Sequence, residues 1–286
     1  MSATTMTRRA LTLLTSLLLA ETASGLIPAS PEQQTRRAIQ SLKTAIANLT
    51  PDNEEEKRTK KVRLYVDYLI PLPIETKAED IDPWPGGLAQ MYPYAEDIVK
   101  EILQGVVDNQ AGPCSSQILS AEDCCGLFIQ ESSTSAKNDI AAMVFPGVDQ
   151  LSQIEQVDEM VGDQRTLIIF NKQFQRPVDF GFSGKNNAQS QKVIFDQYQY
   201  GFAFQEFACR GEDTKLTFEY PNWQSCVICE ENRDVGQKEI ALLEPSPERP
   251  SYEALEQKIN EVLPEPLWMR MIGEAEEKGL KFQRRQ

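Results

Sequence analysis

Two glycine-containing loops and six cysteines are the parts of this chain whose residue types and spacing could do chemistry. The segment DPWPGGLAQMYPYAED, residues 82–97, places Gly86 and Gly87 between a strand-like run and a helix-like run, which is where nucleotide-binding proteins hold phosphate. The residues that follow the glycines, LAQ, do not continue a G-x-G-x-x-G fingerprint. We therefore predict that this loop turns the chain without holding phosphate, and that Trp84 or Tyr92 covers an edge of the core.

The second glycine loop, GFSGKNN at residues 181–187, is similar to a phosphate-binding P-loop. That motif requires G-x-x-x-x-G-K-[ST], whereas Asp179 stands at the first glycine position and Asn186 follows Lys185. The segment fails the motif at two positions, and a surface loop is predicted.

The cysteines do not form a metal-binding pattern. In CVIC, Cys226 and Cys229 are separated by Val and Ile, which favour an extended strand, and residues i and i+3 of a strand face opposite sides. The adjacent Cys124 and Cys125 are equally poor joint ligands. We predict structural thiols and no metal site.

The chain contains no histidine, which excludes His-dependent triads, Cys-His proteases and HExxH zinc sites. Carboxylate or lysine chemistry remains open, although no Asp or Glu pair stands out by spacing. The net charge of -14 repels phosphate backbones, so nucleic acid is excluded as a partner and anionic membrane surfaces are disfavoured. The sequence predicts no cofactor and, more generally, a protein that is not an enzyme.

The N-terminus has the pattern of a targeting segment. Arg8 and Arg9 precede the apolar run ALTLLTSLLLA and the small residues ETASG, which is typical of a signal peptide over residues 1–25. The apolar run is about half the roughly 20 residues that a membrane-spanning helix needs. Residues 26–51, with several basic and hydroxyl side chains and a single acid, have two interpretations: a helix of the fold or a transit segment.

The elements that would position a site follow from hydrophobic periodicity. Strands are predicted at residues 62–70, 116–119, 126–130, 140–145 and 166–170, and successive strands joined by turns between residues 200 and 231. Helices are predicted at residues 32–49, from Pro93 onwards, at 148–162, at 251–262 and at 266–279.

The alternation of strands and helices predicts an α/β fold: a Rossmann-like, mostly parallel sheet with flanking helices and an antiparallel strand extension in the C-terminal half. The predicted organisation is a single α/β domain over residues 26–263, followed by a C-terminal helix and tail over residues 264–286. In an open α/β sheet the carboxyl ends of the strands form the usual ligand crevice. The candidate ligand-binding residues are accordingly those that follow strand ends: Trp84, Gly86, Gly87, Gly147 and Asn171.

Several segments together carry a family resemblance: RLYVDYLIPLP, PWPGGLAQMYPYAEDIVKEIL, TLIIFN and YGFAFQEFACRGEDTKLTFEYPNW. This pattern resembles an uncharacterised domain family of cyanobacteria and plastids. That family includes a factor needed for photosystem II accumulation and a domain fused to a chloroplast adenylate kinase. The resemblance implies a plastid protein that helps to build or maintain photosynthetic complexes, and it implies no established catalytic residues.

Three functional hypotheses follow. The first is a non-catalytic plastid assembly or maintenance factor whose partners are photosynthetic complex subunits or assembly factors, with peripheral membrane association open and no transmembrane helix in the mature chain. The second is a small-molecule or nucleotide-binding enzyme that uses the crevice at the carboxyl edge of the sheet. The third is a secreted binding module, which makes secretion the alternative to a plastid location reached through the signal peptide.

Overall fold

A computed structural model describes residues 25–50, 61–73, 84, 86–181, 184–230 and 237–277. The predicted signal peptide therefore lies, except for Gly25, outside the described residues. Within them the strands are β1 (Arg63–Asp67), β2 (Ala111–Ser120), β3 (Cys125–Ser132), β4 (Ile140–Val144), β5 (Thr166–Phe170), β6 (Gln199–Cys209), β7 (Glu212–Glu219), β8 (Asn222–Glu230) and β9 (Gln237–Ser246). The helices are α1 (Pro31–Leu49), α2 (Leu88–Val107), α3 (Leu151–Val161), α4 (Gly184–Ser190), α5 (Tyr252–Val262) and α6 (Leu267–Glu277).

All nine strands join one mixed sheet in the order β2-β3-β4-β5-β1-β6-β7-β8-β9. The α/β class and the antiparallel C-terminal extension are confirmed, but the expectation of a mostly parallel, Rossmann-like sheet is not met. Only β4, β5, β1 and β6 run parallel, and the other neighbouring pairs are antiparallel. For β2, β3 and β4 the reason is the length of the connections. Residues 121–124 join β2 to β3 and residues 133–139 join β3 to β4, and both segments are shorter than the crossover of a dozen or more residues that parallel strands require.

The central strands are buried on both faces, which explains their continuous apolar sequences IAAMV and TLIIF. In β1, Leu64 and Val66 contact the core on one face, while Tyr65 is buried in a second cluster on the other. The alternation in β1 therefore separates two cores rather than a core from solvent.

Helices α1 and α2 cover one face of the sheet. Helix α1 is capped by Ser30, whose side chain accepts a hydrogen bond from the N–H of Gln33, and it buries Ala38, Leu42 and Ala45. A Cβ at Gly201 of β6 would lie 2.7 Å from Cδ2 of Leu42, so glycine allows α1 to approach the sheet closely. The segment from residue 31 to 49 is thus an integral part of the fold.

Helix α2 differs from its predicted start. It begins at Leu88 and contains Pro93, whereas Pro93 was expected to open the helix. Gly87, at φ +57°, is its N-terminal cap residue, and Pro93, the sixth residue of the helix, lacks the N–H that would donate to the carbonyl oxygen of Ala89. No helix of the described ranges is both long and apolar enough to cross a membrane.

The opposite face is covered by α3, α5 and the segment between β5 and β6. That segment contributes Phe174, Phe180, Ile194 and Tyr198 to the core around Tyr65. Helix α5 begins after its cap Ser251, as predicted, and packs Leu255 and Ile259 against the C-terminal strands.

The C-terminal strands β6, β7 and β8 are joined by the tight turns predicted around residues 211 and 221. Strand β9 is not among the predicted strands, because Glu244 and Pro245 interrupt its alternation. Edge strands tolerate proline, since one side of their backbone pairs with no neighbour. At the other edge, Pro113 occupies a comparable position in β2, and both prolines coincide with a register shift against the neighbouring strand.

A buried ion pair fixes the amino end of β1. The side chain of Arg63 is fully buried, and its Nε donates to Oδ1 of Asp158 in α3. The same guanidinium donates to the carbonyl oxygens of Val62, Gly162 and Arg165 at 2.7–3.1 Å. These contacts tie the central strand to α3 and to the loop before β5.

Replacing Asp158 with Ala should destabilise the fold by about 3 kcal/mol or more, because it leaves the Arg63 charge buried without its carboxylate. Asp163→Ala is the matched control: this carboxylate lies 3.7 Å from Lys61 and is about half exposed, so its loss should cost less than about 1 kcal/mol. Urea unfolding of both variants measures the difference, and equal losses of stability would contradict the assignment.

Candidate functional site

The carboxyl ends of β1 and β5 form a crevice because the two neighbouring strands send their connections to opposite faces of the sheet. The chain after β1 leads to α2, which packs on the face of Leu64, whereas the chain after β5 packs on the face of Tyr65. Connections that separate in this way leave a gap above the strand ends, where α/β proteins bind ligands. Here the gap is a cavity of about 450 Å³.

Asn171 holds the two strand ends together at this crevice. Its Nδ2 donates to the carbonyl oxygen of Tyr68 at 2.8 Å, and its Oδ1 accepts from the N–H of Tyr68 at 2.6 Å. The side-chain amide thereby continues the ladder between β1 and β5 beyond their last backbone bond. Asn171 has φ +50°, a conformation that asparagine tolerates better than most residues.

Lys172 follows directly and is buried, with 8% of its surface exposed. Its Nζ donates to Oε1 of Gln175 at 3.0 Å and lies 5.3 Å and 5.8 Å from the ring centroids of Tyr65 and Tyr200. Both rings present their π-electrons to the ammonium, which partly replaces its lost hydration. Lys172 is therefore a charged group inside the wall of the crevice.

Several charges act on Lys172. Burial lowers the pKa of its ammonium, the carboxylate of Asp67 opposes that shift, and the guanidinium of Arg249 adds to it. A more distant carboxylate, that of Asp179, also opposes the shift. Lysines with a lowered pKa inside a crevice are candidates for functional groups.

Asp67 begins a chain of hydrogen bonds along one wall. Its Oδ2 accepts from the hydroxyl of Tyr200 at 3.0 Å and from Nε2 of Gln205 at 2.5 Å. The Oε1 of Gln205 in turn accepts from Nη2 of Arg249 at 3.0 Å, and the Arg249 guanidinium lies 5.7 Å from the ring centroid of Trp223. This chain fixes the positions of an acid, an amide and a guanidinium on the cavity surface.

Aromatic rings lie behind these polar groups. Tyr65 stacks on Tyr198 with ring centroids 5.2 Å apart, and the hydroxyls of both are buried without a hydrogen-bond partner in the described part of the chain. Burial raises the pKa of both phenols, so they stay neutral. They provide a rigid apolar backing against which Lys172 is held.

Of the residues predicted from the sequence, only Asn171 lines this cavity. Trp84 packs edge-to-face on Tyr94 with centroids 5.4 Å apart. The N–H of Gly87 donates to the carbonyl oxygen of Trp84 at 2.8 Å, and that of Gly86 to Oε1 of Gln90 at 3.2 Å. The N–H groups of Gly86 and Gly87 are therefore already hydrogen-bonded within the chain and are not available to a phosphate.

Gly147 is placed similarly, before α3. Its N–H donates to Oε1 of Gln150 at 2.7 Å, so this N–H is not available to a ligand at the end of β4. The segment at residues 181–187 lies partly outside the described residues, and Lys185 belongs to the short helix α4.

The charged residues of the crevice were not predicted from the sequence. Lys172 follows the predicted Asn171 and Asp67 ends β1, so the position of each beside a strand end could have identified it as a candidate ligand-binding residue. Arg249 gave no signal, because it stands in a proline-rich connection far away in the sequence.

The cysteines lie elsewhere. CVIC is part of β8, as its composition predicted, and burial raises the pKa of the Cys226 thiol to about 12. No cluster of three or more Cys, Asp or Glu residues suited to a metal ion occurs within the described ranges. The thiols of Cys114, Cys124, Cys125 and Cys209 are free, as is that of Cys226.

The sequence model of one family, described as Domain of unknown function (DUF1995), matches residues 28–257. The chain belongs to this family. The match runs from just before α1 into α5, so the whole sheet and the crevice lie within the DUF1995 domain, and the family resemblance of the sequence is confirmed at this level. No curated protein matches the chain. No solved structure matches it either.

Lys172→Met should stabilise the DUF1995 domain by roughly 1 kcal/mol at neutral pH, since it removes a buried charge and keeps the length of the side chain. The folded-state pKa of Lys172 is lowered from its unfolded value of about 10.4, so the unfolded chain holds this proton more tightly. The penalty is full below the lowered pKa and disappears as the pH rises to about 10.4. Thermal unfolding at a series of pH values should therefore show the variant's advantage shrinking with rising pH; an advantage that grows would contradict the burial of this charge.

Asn171→Ala should cost about 2–3 kcal/mol, because it removes both hydrogen bonds to Tyr68 and places an alanine at positive φ. Asn171→Gly loses the same bonds without the steric penalty, so it should cost about 1 kcal/mol less. Urea unfolding of both variants separates the two contributions; a glycine variant less stable than the alanine variant would be inconsistent with the left-handed conformation.

Proposed function

We propose that this DUF1995 protein is a non-catalytic plastid factor that assists the assembly or maintenance of photosynthetic complexes such as photosystem II by binding one of their protein subunits. The resemblance of the sequence to a family whose members serve photosynthesis supports this proposal. The plastid location, reached through the N-terminal signal peptide, is part of the proposal.

The structural observation that carries the proposal is the apolar surface of α6. Trp268, Met269 and Ile272 are exposed by 62%, 47% and 37%. The helix that displays them is anchored to the domain, because Arg270 forms an ion pair with Glu212 at the start of β7. Large apolar side chains that are both exposed and held in place are typical of interaction sites.

The charge of the chain favours a protein over a lipid surface as the occupant of this site. Helices that lie on membranes combine an apolar face with lysine and arginine, which attract anionic lipids. This chain instead carries a net charge of -14. Repulsion from anionic lipids therefore leaves an apolar protein surface as the better partner for Trp268, Met269 and Ile272.

A second candidate function is favoured by the crevice. A small-molecule-binding enzyme would use the cavity that Asp67, Lys172 and Arg249 line, and the buried Lys172 is the observation in its favour. A secreted binding module is the third alternative; if its fold depended on disulfides, the native protein would have no titratable thiols.

Co-purification tests the first proposal. The tagged, processed protein isolated from its native organism in mild detergent should carry photosystem subunits or their assembly factors in stoichiometric amounts. Replacing Trp268 and Met269 with Ser should release them, because the apolar contacts of α6 are removed.

The matched control is Met160→Ser in α3, since Met160 is 48% exposed and Met269 is 47% exposed. This control should leave the partners bound. A protein that elutes alone, or partners that survive the double substitution in α6, would contradict the proposal.

A further inference from the structure

Four charged groups line the crevice: two acids, Asp67 and Glu206, and two cations, Lys172 and Arg249. Glu206 forms an ion pair with Lys215, and Asp67 accepts two hydrogen bonds from Tyr200 and Gln205. Lys172 and Arg249 form no ion pair with any residue of the described ranges. Because Glu206 is paired with Lys215, the remaining charges of the lining are one acid, Asp67, and two cations, Lys172 and Arg249, so the lining has an excess of positive charge.

An unpaired charge is far more unusual at Lys172 than at the protein surface. Proteins almost always pair a buried charge or give it several hydrogen bonds, because removing an ammonium from water is costly. Lys172 is 8% exposed, and within the described residues its ammonium has one neutral acceptor, Oε1 of Gln175. The other two N–H donors of this ammonium have no hydrogen-bond acceptor among the described residues.

Arg249 supplies a second cation to the same cavity. One of its nitrogens donates to Gln205, and its guanidinium lies 5.7 Å from the centroid of the Trp223 ring. Both Lys172 and Arg249 line this one cavity. A guanidinium held in this way has further N–H groups to offer a carboxylate or a phosphate.

We propose that the crevice binds a small organic anion whose carboxylate or phosphate group is held by Lys172 and Arg249. The remainder of the ligand would lie along Leu69, Phe204 and Phe207, the apolar part of the lining. The cavity of about 450 Å³ has the size of a small-metabolite site. This inference goes beyond the proposed role in assembly and depends on other residues, so either can fail without the other.

The test is thermal unfolding of the full processed chain titrated with inorganic phosphate in one series and with succinate in another, each compared with sodium chloride at equal ionic strength. At least one of the two anions should raise the unfolding temperature in a saturable way. The series that responds identifies the phosphate or the carboxylate as the recognised group.

Two variants locate the site. Lys172→Met, which is expected to fold stably, should weaken the apparent affinity about tenfold or more, and Arg249→Gln should also weaken it. Lys192→Met and Arg176→Gln are the matched controls, since neither residue lines the cavity, and they should leave the affinity unchanged. A response to neither anion, or one that persists in Lys172→Met, would overturn the proposal.

Discussion

The position of β1 between β5 and β6 is the constraint on which the rest of the structure depends. A strand with parallel neighbours on both sides, and with helices or long connections over both faces, has no solvent-exposed face. Its side chains must therefore be largely apolar, and a charge among them must be compensated. Leu64 and Val66 meet the first condition, and Arg63, with a carboxylate and three carbonyl acceptors, meets the second.

The same arrangement generates the crevice. Because β1 and β5 are adjacent and their connections leave on opposite faces, the ends of the two strands are joined by only a few side chains, chiefly Asn171. The two ends of β1 then differ in their electrostatics. At the amino end Arg63 is neutralised by Asp158, whereas at the carboxyl end Lys172 is supported by aromatic rings and one amide. The first arrangement stabilises the fold, and the second places a charge where a ligand can reach it.

Much of this architecture could be predicted from the sequence, and the failures have identifiable causes. The apolar runs of β4 and β5 and the helix between them predicted the parallel pairing of these two strands, because the hydrophobic periodicity and the length of each segment indicate the same type of element. The sequence does not state the partner of each strand, so β2 and β3 were assigned to a parallel sheet although their short connections force antiparallel pairing. Asn171 was found because it directly follows a clear strand. Arg249 joins the crevice through a contact with Gln205 that is separated by more than forty residues, and no local pattern encodes such a contact.

The two edge strands have a consequence for how this sheet can meet other proteins. Pro113 in β2 and Pro245 in β9 each remove a backbone donor, and both coincide with a register shift. An interrupted edge cannot template a continuous ladder with a foreign strand, which protects the protein from edge-to-edge aggregation. Each edge strand of the nine-stranded sheet therefore offers a foreign strand only the part of its backbone on one side of the proline, residues 114–120 of β2 and 237–244 of β9.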